Sequence, residues 1–141
     1  MFIGEKRFII KKQDKQIGYY AGFSLNCIFE TNENTMLLVS FNIEQIEEQW
    51  KEATFNGIRT FYKFYKSHFN GILQINIHNI FWFPVDTKDV IINYTIIRVL
   101  CYWFQLDYLP ILCQPQYESL FFLNNLQFKK NQDNRVDFLI H

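Results

Sequence analysis

Two short runs carry most of the chemistry this sequence offers. Lys6, Arg7, Lys11, Lys12 and Lys15 crowd the N-terminal part, and Phe81-Trp82-Phe83-Pro84 sets three consecutive rings before a proline. Lysines draw phosphate by charge, and flat rings stack on unpaired bases, so the two types together suit RNA whose bases are not paired. Stacking contributes about 1–3 kcal/mol per base, so each ring would weigh more in affinity than one exposed lysine at cellular salt. The same rings have two other uses. Aromatics at a strand end pack on their neighbours, and they also bury against partner proteins. Lysines near a turn also serve to solvate it.

Other reactive side chains point to no catalytic constellation. Glu44, Glu47, Glu48 and Glu52 fall at i,i+3 and i,i+4 steps, the pattern of a solvated helix face that would suit a basic partner weakly. His78 falls on the polar side of a strand, with no Ser or Cys in sequence context for nucleophilic catalysis, so the chain is not read as an enzyme. Cys27, Cys101 and Cys113 are widely spaced and form no Cys-x-x-Cys or Cys/His metal pattern; all three read as buried, reduced thiols. The chain lacks the Gly-x-x-x-x-Gly-Lys-[Ser/Thr] phosphate loop and Asn-Lys-x-Asp, so no nucleotide and no other cofactor is expected.

With 141 residues, 49% of them hydrophobic, the sequence suits one domain with a real core. Aromatics reach 19%, led by Phe at 16, and large rings can fill a small two-layer core. The 14 basic and 14 acidic residues cancel, so any hold on nucleic acid must come from a local patch. Met1-Phe2-Ile3-Gly4-Glu5 has no signal-peptide apolar core, and Arg98 and Gln105 interrupt the longest apolar stretch. A cytoplasmic protein without a membrane span is expected.

The elements that must position these residues follow from periodicity. Lys6–Lys12 reads as a strand, and 13–18 as a turn ending in Gly18. Tyr20–Phe29 alternates cleanly, with Phe23, Leu25, Cys27 and Phe29 on the buried face. Met36–Phe41 is a third strand. Asn42 offers an N-cap to a first helix carrying Ile43, Ile46, Trp50, Ala53, Ile58 and Phe61, and Gly57 within it implies close packing on a neighbour. Leu73, Ile75 and Ile77 mark a fourth strand, which Pro84 ends. Asp86 caps a second helix, apolar nearly all round, that runs to about Leu106. Gln116–Leu123 reads as a fifth strand, and Val136–Ile140 is a candidate for one more. The order β-β-β-α-β-α-β implies an α+β two-layer sandwich over residues 1–123, with a tail from 124 to 141.

Several local sequences in this order resemble domain IV of elongation factor G. Trp50-Lys51-Glu52-Ala53-Thr54-Phe55-Asn56-Gly57-Ile58-Arg59 is similar to that domain's first helix, Trp82-Phe83-Pro84-Val85-Asp86-Thr87-Lys88-Asp89 to its tip loop, and Leu112-Cys113-Gln114-Pro115 to its closing Leu-Glu-Pro. The tetracycline ribosomal protection proteins resemble it more closely. Their tip looks like Phe81-Trp82-Phe83-Pro84-Val85, and their first hairpin like Lys11-Lys12 with Gly18 and Gly22. The likeness spans about residues 6–123. It implies the fold of the second domain of ribosomal protein S5, including a left-handed β-α-β crossover. Departures include Phe83 where the elongation factor has a tip His, Asp14-Lys15-Gln16-Ile17 in place of a glycine-rich loop, and Gln114 before the closing Pro.

In that family the first hairpin turn and the loop before the second helix meet at one end. The resemblance therefore implies a tip built from Lys11, Lys12, Lys15, Phe81, Trp82, Phe83 and Pro84, with the ribosome or ribosomal RNA as partner. A protein-interaction or dimerisation module that has lost RNA binding, such as a homodimer joined through Phe81–Phe83, is the alternative.

Overall fold

A computed structural model describes residues 4–130 and 136–139. Three strands open the chain: β1 Lys6–Asp14, β2 Ile17–Thr31 and β3 Met36–Phe41. Helix α1 Glu48–Tyr65, strand β4 Gly71–Phe81, helix α2 Asp89–Phe104 and a short helix α3 Leu109–Leu112 follow. A 3-10 segment Pro115–Asn125 then leads into β5 Phe128–Lys130 and β6 Val136–Leu139. One six-stranded sheet runs in the order β3-β4-β2-β1-β6-β5. β3 and β4 are parallel neighbours joined through α1, β2 is antiparallel to both β4 and β1, and β6 runs parallel to β1. Mixed α+β architecture with helices packed on the sheet is the expected class.

Alternation along the strands sends one set of residues into the core. Phe8 and Ile10 of β1, Ala21, Phe23, Leu25 and Cys27 of β2, and Leu73, Ile75 and Ile77 of β4 are all buried. Register pairs Phe8 with Phe23, Leu25 with Ile77, and Cys27 with Ile75. Helix α1 buries Trp50, Ala53, Thr54, Gly57, Ile58, Phe61 and Tyr65, a stripe of three- and four-residue steps. Helix α2 is buried nearly all round because it lies between the sheet, α1 and the 3-10 segment. Gly57 is required where the helices cross: a Cβ there would meet the Ile96 side chain and sit 2.9 Å from the Asn93 carbonyl oxygen.

Four sequence expectations are corrected. Asn42 does not cap α1; its N–H donates to the Ile77 carbonyl at 2.8 Å, continuing the sheet ladder, and the helix starts after Glu47. Glu44 and Glu47 therefore lie ahead of the helix. The second helix starts after Lys88 rather than Asp86, and ends where Gln105 adopts a left-handed φ of 56°. Gln116–Leu123 is not a strand. Tyr117, Leu120 and Leu123 are buried at three-residue spacing, which is the 3-10 repeat and not the repeat of two that a strand needs. Cys113 is exposed, while Cys27 and Cys101 are buried, free thiols as expected.

Arg98 of α2 holds the 3-10 segment down. Its guanidinium donates to the Leu123 carbonyl at 3.0 Å, to that of Leu126, and to the Tyr94 hydroxyl at 2.9 Å, and it lies 3.6 Å from the centre of the Tyr108 ring. Bonds of this kind to a buried charged donor contribute about 1.5–3 kcal/mol each. The expected terminal strand appears as β6, except for Ile140, which lies outside the described residues; β5 carried no signal in the sequence. No helix among the described residues is long and apolar enough to cross a membrane.

Candidate functional site

The β1–β2 hairpin turns tightly. Asp14 pairs with Ile17, and the two residues between, Lys15 and Gln16, both take left-handed φ values, 48° and 70°. That is the twist a two-residue hairpin demands, and Asn or Gly usually supplies it. The turn therefore does not end at Gly18, which instead lies within β2 because the loop leaving β4 presses on it. A Cβ at Gly18 would run into the Asp86 carboxylate.

That loop arches over residues 82–88 and returns to β2 as a substitute strand. The last β2–β4 pair is Gly22 with Phe81. Beyond it, the Tyr20 N–H donates to the Asp86 carbonyl at 3.1 Å. The buried Thr87 hydroxyl donates to the Tyr20 carbonyl at 2.6 Å and accepts the Phe83 N–H at 2.9 Å. A further bond, Thr87 N–H to the Phe83 carbonyl at 3.0 Å, closes the arch. The hairpin and the loop are thus tied together through one tyrosine and one threonine.

The three consecutive rings part company. Phe81 lies in register with Gly22, under the Arg7 guanidinium at 4.9 Å. Trp82 turns toward the helices, where its ring centre is 5.6 Å from that of Trp50. Phe83 alone stays at the tip, 49% exposed, with its ring 4.2 Å from Tyr20 at a 30° tilt. Pro84 and Val85 beside it are exposed. Of the lysines, Lys11 pairs in register with Tyr20 and so flanks the Tyr20–Phe83 rings, and Lys15 sits at the apex of the turn. Lys12 pairs with Tyr19, on the opposite side of the sheet. Of the seven candidates, Lys11, Lys15, Phe83 and Pro84 share the tip; Phe81 lies farther along the same sheet face under Arg7, and Trp82 and Lys12 point to the opposite side.

Tyr20 and Thr87 complete this end of the molecule, and sequence reading missed both. A signal for Tyr20 existed: it shares parity with Ser24 and Asn26, so its ring belongs to the sheet face away from the helices. On that face His78 Nε2 meets Asn26 Oδ1 at 2.7 Å, and the Ser24 hydroxyl donates to Glu5 at 2.9 Å. Those bonds satisfy polar groups across the sheet. Among the described residues, no three His, Cys, Asp or Glu side chains gather as a metal site would require.

No family model matches this chain, and no curated protein matches it. Among solved structures it is similar to the crystal structure of a Thermus thermophilus protein designated ttk003000868, with a TM-score of 0.51 and 20% identity. The alignment covers 65% of this chain and 14% of the other, so the likeness is to a small part of a much longer protein and is one of fold.

Proposed function

We propose that this chain is a non-enzymatic, translation-factor-like module, related to domain IV of elongation factor G, that presents its tip to ribosomal RNA. One observation carries the reading: a half-exposed ring, Phe83, is held against Tyr20 on a hydrogen-bonded arch, with Lys11 paired across the ladder from Tyr20 and Lys15 in the adjoining hairpin turn. A pinned aromatic platform loses little entropy when a base stacks on it, and the flanking ammonium groups track phosphates. The tip also carries Asp14, Asp86 and Asp89 beside Lys88, so its charge is mixed. Stacking therefore supplies more of the affinity than charge does. Purified chain mixed with small ribosomal subunits is expected to co-sediment at low salt, with Phe83→Ala weakening the association. An absence of pelleting at every salt concentration rejects the reading.

A second reading, a protein-interaction or dimer module, is favoured by the apolar character of the same end. Ile17 is 56% and Val85 85% exposed, beside a groove of about 430 Å³ lined also by Tyr19, Val90, Ile91 and Leu120. Light scattering separates the two. A dimer that Val85→Asp converts to monomer supports the second reading against the first.

A further inference from the structure

A cavity of about 610 Å³ opens beside the end of β4, on the far side of the chain from the Tyr20–Phe83 rings. It is lined by Ile43, Ile46, Trp50, Ile80 and Trp82, with Asn79, Gln45 and the carboxylates of Glu44 and Glu47 at its rim. This volume falls within the range of ligand pockets, about 300–1,000 Å³. The lining is aromatic and aliphatic, and it contains two acids and no Lys, Arg or His. Neither Glu44 nor Glu47 makes an ion pair among the described residues. The nearby Lys51 is engaged elsewhere, over the Phe41 ring at 5.6 Å.

Trp50 closes the inner wall of the cavity. It is only 4% exposed, and its indole Nε1 is buried with no hydrogen-bond partner among the described residues. That nitrogen is sealed from the cavity, so the ring that the cavity leaves open to a ligand is the part-exposed Trp82. The Trp50 and Trp82 rings lie 5.6 Å apart at 46°, a tilted contact that fixes Trp82 against α1.

We infer that this cavity binds an arginine side chain presented by a partner peptide. Each feature asks for a different part of such a ligand. The part-exposed Trp82 ring attracts a planar cation, which Arg supplies better than the strongly hydrated ammonium of Lys. The rim carboxylates accept its N–H groups, in the paired geometry that guanidinium and carboxylate share. The partial positive charge at the start of α1 opposes a cation, but the full charges of Glu44 and Glu47 ahead of the helix outweigh it. The site is independent of the tip and of its partner.

The test uses capped arginine, N-acetyl-arginine-N′-methylamide, against capped citrulline, its neutral isostere of the same shape. Titration of the full chain is followed on the Trp50 indole ¹H–¹⁵N resonance. Arginine is expected to bind at least tenfold more tightly than citrulline and to shift that resonance. The double variant Glu44→Gln, Glu47→Gln alters only exposed residues; it is expected to abolish the preference while the rest of the spectrum stays folded. Equal affinity for the two probes, or saturation without movement of the Trp50 indole, overturns the proposal, as does an absence of binding.

Discussion

Trp82 and Phe83 are adjacent in the chain, yet each belongs to a different ring pair with a different role. Trp82 meets Trp50 on the helix side, and Trp50 is almost wholly enclosed. Phe83 meets Tyr20 at the tip and remains half exposed. The first pair joins the sheet to α1 and contributes to stability. The second rests on a hydrogen-bonded arch and offers its faces to solvent. The difference teaches that three consecutive rings on one strand end cannot form one surface: strand parity sends neighbours to opposite sides, so an aromatic run divides its labour.

The comparison breaks most readily at Trp50. Trp50→Ala is expected to cost about 3–5 kcal/mol in urea unfolding, as large core truncations do, whereas Phe83→Ala costs less than about 1 kcal/mol. Equal costs would mean that both pairs serve the core.

Alkaline pH sharpens the contrast next. Burial, partly offset by Arg98, pushes the Cys101 thiol from 9.0 up to about 12. Its neutral form is favoured only in the folded state, so stability is retained below pH 9 and declines as pH climbs from about 9 to 12. The slope per group reaches about 1.4 kcal/mol per pH unit. Burial raises Tyr94 likewise, against Arg98, to about 12. Urea unfolding from about pH 8 to 11 should show the decline, with Cys101→Ala flattening part of it and Phe83→Ala leaving its shape alone.

Thr87→Val attacks the arch itself. It leaves the Phe83 N–H and the Tyr20 carbonyl without their shared partner, at an expected cost of about 1–2 kcal/mol. Hydrogen exchange at the Phe83 amide should accelerate while the α2 amides keep their protection. The smallest effect is expected from Lys15→Ala, which should leave stability unchanged and lower the log–log salt slope of RNA binding by about 0.7.

Much of the scaffold was legible because β2 and β4 alternate strictly where one face is buried. Leu25, Cys27, Ile75 and Ile77 needed only a count of two. The count fails at His78, the extra residue of a bulge: Leu25 pairs with Ile77 but Ser24 with Asn79. That slip decides where Phe81 and Trp82 point, and one strand read alone gives no sign of it. Tyr117, Leu120 and Leu123 were misread because a short apolar run fits two repeats until the Arg98 and Asn93 side chains that fasten it are known; the Tyr117 hydroxyl donates to Asn93 at 2.6 Å. Lys11, Lys15 and Phe83 were named from the sequence, while their neighbours Tyr20 and Thr87 were not. Their roles arise from backbone groups that residues 83–87 borrow from β2.

The parallel pairing of β6 with β1, Phe8 beside Val136, sets the order in which this sheet can be finished during synthesis. A ribosome making the chain releases β1, β2 and β4 well before the strand that flanks β1 exists. Until then the backbone edge of β1 is an unfilled template, open to any extended segment nearby. Closing so long a loop is slow, so this seam is where a nascent chain is most exposed to joining with the wrong neighbour.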